Sequence, residues 1–197
     1  IRRALKELAE CGVKYLTIYA FSTENWNRPR EEVDGIMAIL RGVILNETEA
    51  LHKSGVRIRH LGRIDRLDPE LRGAVEHAQE LTRDNKGITL SVAFDYGGRS
   101  EIIEAVRRLV REGTPPELID EASFSRYLYT CDLPDPDLII RTAGELRLSN
   151  FLLWQSAYSE YYATNTLWPD FDREEIRKAI QEYSRRQRRF GTVHAEA

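Results

Sequence analysis

Runs of apolar and β-branched residues alternate with helical patterns along most of the chain, and this alternation constrains the fold more than any other feature. The segments YLTIYAF (residues 15–21) and ITLSVAF (residues 88–94) have the composition of buried strands. Between them, apolar residues recur at helical spacing after Pro29 and again after Pro69. Repeated strand and helix units with short connections predict an α/β fold, with a mainly parallel central β-sheet flanked by helices on both faces.

The remaining predicted elements continue this alternation. A helix precedes Gly12, a strand covers residues 56–61, and a helix follows the Gly97-Gly98 turn. A short helix at residues 123–128, a strand from Leu138 and a last amphipathic helix at residues 172–188 complete the pattern. With 197 residues, 42% of them hydrophobic, and no repeat or linker, the chain is predicted to be a single domain covering residues 1–197.

Composition narrows the partners that the chain can have. Lys and Arg total 29 against 32 Asp and Glu, and the net charge of -3 gives no overall attraction to nucleic acid or to an anionic membrane. The two cysteines, Cys11 and Cys131, form neither a disulfide framework nor a metal-ligand cluster, which favours a reduced, cytoplasmic setting. No apolar run reaches the ~20 residues needed to cross a bilayer, and no signal peptide is visible.

The segment LIIRTAGELRLSNFLLWQSAYSE (residues 138–160) joins an apolar strand to a charged loop. Its first residues predict a buried strand, and FLLW (residues 151–154) predicts a core helix that Ser149 would cap. Arg141, Arg147 and Ser149 would then lie together at the carboxyl end of the strand, beside free helix N–H groups, and bind phosphate. The alternative is that the two arginines pair with Glu145 and other surface carboxylates.

Two other predicted strands also end in polar loops. The first strand is followed by STENWNR (residues 22–28), and the strand at residues 88–94 is followed by DYGGRS (residues 95–100). Because the carboxyl ends of parallel strands share one edge, these arginines, amides and a Gly-Gly turn that opens a helix would together bind more than one phosphate. For Asn25 and Trp26 taken singly, a turn residue and a core aromatic are the alternatives.

Five longer motifs, in order along the chain, carry a family resemblance. They are FSTENWNRP (residues 21–29), YGGRSEI (96–102), IIRTAGELRLSNFLLWQSAYSEYY (139–162), LWPDF (167–171) and YSRRQRRFG (183–191). Through them the chain resembles the cis-prenyltransferases of the undecaprenyl diphosphate synthase type over nearly its whole length. The resemblance implies a Mg²⁺-dependent homodimer that condenses isopentenyl diphosphate onto farnesyl diphosphate, or a similar allylic diphosphate, with cis double bonds. The product would be undecaprenyl diphosphate or a similar polyprenyl carrier lipid for cell-wall synthesis, released through transient contact with a membrane surface.

The resemblance also implies roles for the residues that bind substrate. Arg141, Arg147 and Ser149 would hold the diphosphate of isopentenyl diphosphate, in agreement with the pocket inferred from the residues themselves. Glu160 corresponds to the family's metal-linked glutamate. Arg28 would approach the allylic diphosphate, and the reacting centre would be lined by Ser22, Asn25 and Trp26.

More distant residues would serve assembly and product length. Arg189 and Gly191 match the family's RxG ending, which reaches the isopentenyl diphosphate site of the neighbouring subunit. Val56, Ile88, Ile36 and Ile39 would line a tunnel for the growing chain, although ordinary core packing is the alternative that the residues alone favour. Arg185 and Arg186 are predicted to lie on a solvated helix face.

Two departures from the family pattern leave other function classes open. The family's Asp-Gly-Asn-Gly-Arg loop, which follows an initial strand and supplies an aspartate that works with Mg²⁺, is absent from these residues. Residues 1–197 are therefore predicted to lack the first strand and the first diphosphate-binding loop, and to be inactive by themselves. In addition, Ala143 and Leu146 stand where relatives often carry Gly or Ser and a polar residue. The alternatives are a non-catalytic cis-prenyltransferase subunit and an unrelated phosphate- or nucleotide-binding α/β module, although no GxxxxGK[ST] or GxGxxG sequence supports the latter.

Overall fold

The computed structural model describes residues 1–187 of the chain. The helices are α1 (Arg2–Glu10), α2 (Arg30–Lys53), α3 (Pro69–Thr82), α4 (Gly98–Arg111), α5 (Glu121–Ser125) and α6 (Arg173–Ser184). The strands are β1 (Tyr15–Ser22), β2 (Arg57–Leu61), β3 (Thr89–Tyr96), β4 (Leu138–Arg141) and β5 (Glu160–Ala163). Short 3₁₀ turns cover Thr23–Asn27, Pro116–Leu118 and Trp168–Asp170.

Every strand pair in the described residues is parallel. Strand β3 lies between β1 and β2, and β4 pairs with β5 in a separate two-stranded ladder. The connections from β1 to β2 and from β2 to β3 contain helices α2 and α3, as the alternating pattern predicts, whereas the connection from β4 to β5 contains no helix. The predicted α/β class and the parallel arrangement are confirmed, with the five strands divided between two ladders.

The core forms on both faces of β3. Successive side chains of a strand point to opposite faces, and Leu90 and Phe94 pack in clusters with residues of α1, α2, α3 and α6. On the opposite face, Ala93 and Tyr96 pack with Leu152. A further cluster joins α4 to α5. This layering leaves the carboxyl ends of β1 and β3 side by side, which positions the loops that follow them.

The predicted core helix from Phe151 is wrong. Residues 151–158 form bends and turns, and the backbone before them is left-handed at Ser149 and Asn150, with φ of 52° and 64°. Left-handed residues in succession cannot start a right-handed helix, so Ser149 does not act as a helix cap. The apolar residues are nevertheless buried, because Leu152 is 3% exposed and Phe151 stacks on Tyr19 with 4.6 Å between ring centroids.

Two other boundaries differ from prediction. Strand β5 was not predicted, because its four residues EYYA carry only a short and weakly apolar pattern. Helix α6 ends at Ser184, and Arg189 and Gly191 lie outside the described residues. Within residues 1–187, no helix combines the length and the hydropathy needed to span a membrane.

Candidate active site

The loop after β1 is held by Ser22 and Asn25. The Ser22 backbone N–H donates to Asn25 Oδ1 at 2.9 Å, and the Ser22 side chain in turn accepts from the Asn25 backbone, which forms a capping box. Asn25 therefore stabilises the turn after β1, as its alternative interpretation as a turn residue predicted. Both residues are half-buried at the carboxyl end of the sheet, whereas Arg28 is exposed and lies 3.5 Å from Glu32.

Trp26 is fixed on several sides. Its indole Nε1 donates to Asp95 Oδ1 at 2.7 Å, and its ring meets Phe21 edge to face with 5.2 Å between centroids. The guanidinium of Arg66 lies over the same ring, 4.6 Å from its centroid. Trp26 thus packs against the core, as its alternative interpretation as a core aromatic predicted. It also belongs to a polar cluster at the end of β3.

The Gly97-Gly98 turn brings α4 against the loop at residues 149–153. A Cβ on Gly97 would lie 2.5 Å from Thr23 Oγ1, and one on Gly98 would lie 2.8 Å from Leu153 Cγ, so neither position has room for a side chain. The Gly98 N–H donates to the Asn150 carbonyl at 2.7 Å. Close packing against Thr23 and Leu153 explains why both positions are glycine, and a role of the turn in binding phosphate stays a prediction.

Asn150 occupies the first free N–H groups of α4. Its Oδ1 accepts the Arg99 N–H at 2.9 Å, and its Nδ2 donates to Glu24 Oε1 at 2.7 Å. Burial opposes ionisation of Glu24, but hydrogen bonds from its own backbone and from Asn150 outweigh burial and lower its pKa. In this structure a side chain of the protein therefore caps the helix N-terminus, and binding of phosphate there stays a prediction.

Arg141 and Arg147 converge on one carboxylate. Both guanidinium groups donate to Glu145, one to each of its oxygens. The hydrogen bond from Arg141, helped by the charges of both arginines, lowers the pKa of Glu145 below its usual value. The alternative interpretation, in which Arg141 and Arg147 pair with Glu145, is thus confirmed. The pairing also demonstrates that the two arginines can bind one anionic group between them, while Ser149 lies exposed in the same loop.

Glu160 faces a cation instead of another carboxylate. Its Oε2 accepts from Arg186 Nη1 at 2.9 Å, and Arg186 also donates to the Tyr161 carbonyl at 2.8 Å. The prediction that Arg186 is a solvated surface residue is wrong, because its side chain is only 29% exposed. In residues 1–187, no three acidic, histidine or cysteine side chains are grouped so that they could hold a metal ion by themselves.

A cavity of about 1480 Å³ extends from the arginine loop along β1 and α2. Its walls are mostly apolar and include Ile18, Ile36, Leu40 and Ile140, with Arg141 and Arg147 at the polar part of the lining. Val56 and Ile88, predicted as tunnel walls, are not among the lining residues. They are 5% and 7% exposed in the core cluster shared by α1, α2 and α6.

An arginine pair beside a long apolar cavity, at the carboxyl ends of parallel strands, defines a class of α/β proteins that can hold a molecule with an anionic head and an apolar tail. Residues 1–191 match the family described as "Putative undecaprenyl diphosphate synthase". The chain therefore belongs to the cis-prenyltransferase family, undecaprenyl diphosphate synthase type, and is a transferase that elongates prenyl chains.

Individual relatives agree with this assignment. Isoprenyl transferase from Fusobacterium nucleatum subsp. nucleatum is 53% identical over 193 residues, which cover 98% of this chain and 83% of that protein. Lavandulyl diphosphate synthase from Lavandula x intermedia, solved with dimethylallyl diphosphate, has a TM-score of 0.92 at 37% identity and covers 97% of this chain and 84% of its own. A probable undecaprenyl diphosphate synthase from Campylobacter jejuni has a TM-score of 0.89 at 34% identity, with coverages of 97% and 89%.

Sequence reasoning missed two residues that shape the site. Asp95 and Asn150 organise Trp26 and the start of α4, whereas Glu145 was foreseen as the alternative partner of the arginine pair. Asp95 and Asn150 adopt left-handed backbone, a conformation that Asp and Asn accept more readily than most residues. The sequence offered two signals, an Asp directly after an apolar strand and an Asn beside Ser149. Neither signal shows which distant residue the side chain contacts.

Proposed function

We propose that the protein transfers isopentenyl diphosphate units onto an allylic diphosphate, with farnesyl diphosphate as starter, to give undecaprenyl diphosphate or a similar polyprenyl carrier lipid for cell-wall synthesis. The observation that carries this proposal is the convergence of Arg141 and Arg147 on one carboxylate at the lining of the apolar cavity. A diphosphate is a stronger acceptor of bidentate arginine contacts than a carboxylate, and it would replace Glu145 between the two arginines.

The substrates would be divided between the two polar loops. Arg141, Arg147 and Ser149 hold the diphosphate of isopentenyl diphosphate. Arg28 meets the allylic diphosphate, and the reacting carbons lie beside Ser22, Asn25 and Trp26. Because Asn25 Oδ1 already accepts the Ser22 N–H, the orientation of this amide is set before substrate arrives.

Glu160 fits a role beside Mg²⁺, which takes one or two carboxylates together with phosphate oxygens and water. The fit is partial, because Glu160 is paired with Arg186 and does not belong to any group of three acidic, histidine or cysteine side chains among residues 1–187. Bound there, Mg²⁺ would stabilise the negative charge that develops on the departing diphosphate. The arginines of the chain supply the same kind of stabilisation from fixed positions.

The apolar cavity would hide the growing chain from water. At ~0.8 kcal/mol for each buried CH₂, every five-carbon unit added favours the cavity over solvent by several kcal/mol. Residues of α2 on the cavity wall, such as Ile36 and Leu40, would then contact the tail. The mostly apolar lining supports this assignment.

We also propose a further parallel strand between β1 and β4. Within the described residues each of these strands has one hydrogen-bonded neighbour, and the cavity is lined by both of them, from Tyr15 to Ala20 and from Leu138 to Arg141. A strand there would join the two ladders into one sheet and carry the first diphosphate-binding loop to its carboxyl end.

The assembly would be a cytoplasmic homodimer in which Arg189 and Gly191, outside the described residues, reach the neighbouring isopentenyl diphosphate site. Contact with a membrane surface would be brief and would serve product release. No nucleic acid is involved, given the net charge of -3.

The deciding experiment incubates the full-length protein with radiolabelled isopentenyl diphosphate, farnesyl diphosphate and Mg²⁺, and sizes the extracted lipid. Label should enter a ladder of polyprenyl products whose new double bonds are cis. A full-length protein that binds isopentenyl diphosphate but transfers none would favour a non-catalytic subunit. Absence of binding would refute the assignment of the arginine pair.

A further inference from the structure

Asp95 places a buried carboxylate beside the reacting centre, and the mechanism proposed above gives it no role. The residue is 1% exposed, and its Oδ1 accepts the Trp26 indole N–H at 2.7 Å. Its other oxygen, Oδ2, is buried and has no hydrogen-bond partner within residues 1–187. A carboxylate buried in this way is costly, so its presence calls for a physical reason.

The backbone at Asp95 is irregular in a way that aims its side chain. The β1–β3 register passes from Phe21↔Phe94 to Ser22↔Tyr96, which leaves Asp95 without a partner in β1. Its φ of 48° lies in the left-handed region, where a residue other than Gly is strained. Irregularities at strand ends commonly re-aim a side chain next to an active site. Here the re-aimed side chain meets Trp26.

Arg66 joins Asp95 from the loop after β2. Its Nη1 lies 3.5 Å from Asp95 Oδ1, and its guanidinium lies over the Trp26 ring at 4.6 Å. The indole is therefore held at its N–H by Asp95, on its face by Arg66 and by a T-shaped contact with Phe21. Any rotation of the ring breaks the hydrogen bond and the stacking together.

We infer that Asp95 is a positioning residue for prenyl transfer, because its carboxylate fixes the indole of Trp26 in the orientation that the allylic substrate meets. The inference rests on the proposed function, which places Trp26 at the reacting centre. Asp95 touches no substrate and acts through Trp26, while Arg66 limits the movement of both. A group that must be held within a fraction of an ångström gains from such support before substrate binds.

Two substitutions separate the hydrogen bond from the backbone. Asp95→Asn keeps an oxygen acceptor for the indole N–H, and Asp95→Gly removes the side chain while suiting the left-handed φ. Neither adds strain, so both variants should fold. In the full-length protein, Asp95→Gly should lower kcat/KM for the allylic diphosphate by about 10-fold or more, the loss expected for a hydrogen bond to a charged group. Asp95→Asn should stay within about 3-fold of wild type, because the acceptor is kept.

A double-mutant cycle tests whether Asp95 acts through Trp26. Trp26→Phe keeps a ring but removes the N–H donor, so adding Asp95→Gly to it should cause no further loss. The KM for isopentenyl diphosphate should not change in the Asp95 variants, because the arginine pair lies elsewhere. Asp65→Asn is the matched control: it removes an exposed carboxylate that pairs with Arg63 in the same loop, and should leave turnover unchanged.

Fluorescence gives a readout that does not depend on turnover. Residues 1–197 contain 3 tryptophans, so Trp154→Phe with Trp168→Phe, together with Phe at any further tryptophan of the full-length protein, leaves Trp26 as the sole emitter. In that background Asp95→Gly should shift the emission and abolish the change on adding allylic diphosphate, and Asp95→Asn should restore both.

Three outcomes would each overturn the inference. They are a wild-type kcat/KM in Asp95→Gly, an Asp95→Asn variant as impaired as Asp95→Gly, and losses that multiply in the double variant. Failure of the wild-type protein to transfer prenyl groups would instead overturn the proposed function and this role with it.

Discussion

Arg186 Nη1 donates a hydrogen bond of 2.9 Å to Oε2 of Glu160 and so ties the end of the described chain to strand β5. The two side chains are 29% and 30% exposed, so solvent and ions still reach the pair. A cation that takes the carboxylate must compete with Arg186. If Glu160 binds Mg²⁺ as proposed, the pair would link metal binding to the segment that leads towards Arg189 and Gly191.

The first prediction concerns the metal requirement of the full-length protein. Glu160→Gln removes the charge that attracts a divalent ion, and we expect at least a 10-fold rise in the Mg²⁺ concentration for half-maximal turnover. Arg186→Gln removes the competing cation and should lower that concentration. A Mg²⁺ titration of initial rates measures both effects, and identical curves for wild type and Glu160→Gln would remove Glu160 from the metal site.

Binding of isopentenyl diphosphate should depend on Arg147. Arg147→Ala removes a charge-assisted contact worth ~1.5–3 kcal/mol, which corresponds to roughly 10- to 150-fold weaker binding. Titration calorimetry in the absence of the allylic substrate measures this directly. Arg72→Ala is a suitable control, because Arg72 is also exposed and paired with a glutamate, Glu76, but lies on α3. Unchanged affinity in Arg147→Ala would mean that the pairing with Glu145 is only structural.

Product length should respond to the cavity wall and not to the core behind it. Ile36 lines the cavity, so Ile36→Trp should fill part of it and shorten the extracted polyprenyl products. Ile88 is 7% exposed in the core, so Ile88→Ala should cost ~2–5 kcal/mol of stability and leave product length unchanged. Sizing of products alongside thermal melts separates the two effects. Longer products from Ile88→Ala would restore the tunnel role that was predicted from the family resemblance.

We expect the interface of the proposed homodimer to use an aromatic segment of the carboxyl-terminal half, residues 154–168, which carries three tyrosines and two tryptophans. In the described structure Tyr158, Tyr161 and Trp168 are 70%, 43% and 49% exposed, whereas Trp154 packs on Phe124. Aromatic side chains are enriched in interfaces, so a dimer should be seen by light scattering at micromolar concentration. Tyr158→Glu should shift it towards monomer.

Helix α4 offers the control for that test. Val110 is 73% exposed and lies with Ile103 and Val106 on a separate apolar surface. Val110→Glu should leave the dimer intact if the aromatic segment is the interface. Dissociation by Val110→Glu alone would move the interface to α4, and a monomeric wild type would contradict the dimer itself.

The sequence was sufficient for elements whose periodicity is long. Helix α2, with 24 residues, and strand β3, with eight, repeat their patterns often enough to distinguish helix from strand. The apolar run at residues 151–154 is too short for that distinction, because a buried turn and a core helix both need apolar side chains. Left-handed backbone at Ser149 and Asn150 decided the outcome, and that conformation depends on contacts with α4.

The same limit applied to the site. The family motifs contain Arg141, Arg147 and Glu160, but the partner of Glu160 in this structure is distant in sequence. Arg186 meets Glu160 from 26 residues away, and Trp26 meets Asp95 from 69 residues away. Such pairs depend on how the loops pack, which local pattern does not encode. Only the spacing of Glu145 from Arg141 made one of these pairs foreseeable as an alternative.

The last prediction concerns the pH dependence of stability and rests on Glu101. This residue is 2% exposed, and burial raises its pKa above the usual value, against the hydrogen bonds from Tyr96, Gln155 and the Tyr129 N–H that lower it. Because the pKa is higher in the folded state than in the unfolded state, the folded state holds this proton more tightly. The resulting stabilisation is complete below the unfolded pKa of about 4.3 and is lost as pH rises through the folded pKa. Glu101→Gln cannot titrate, and it keeps one of the two oxygen acceptors of Glu101. The melting temperature of Glu101→Gln relative to wild type should therefore increase as pH is raised from about 4 to about 7.

Other carboxylates also make stability depend on pH. Those with lowered pKa values, such as Asp120, stabilise the folded state less as pH falls. Because they are present in both proteins, the difference between the two melting temperatures reports on Glu101. A difference that does not change with pH would show that burial of Glu101 does not raise its pKa.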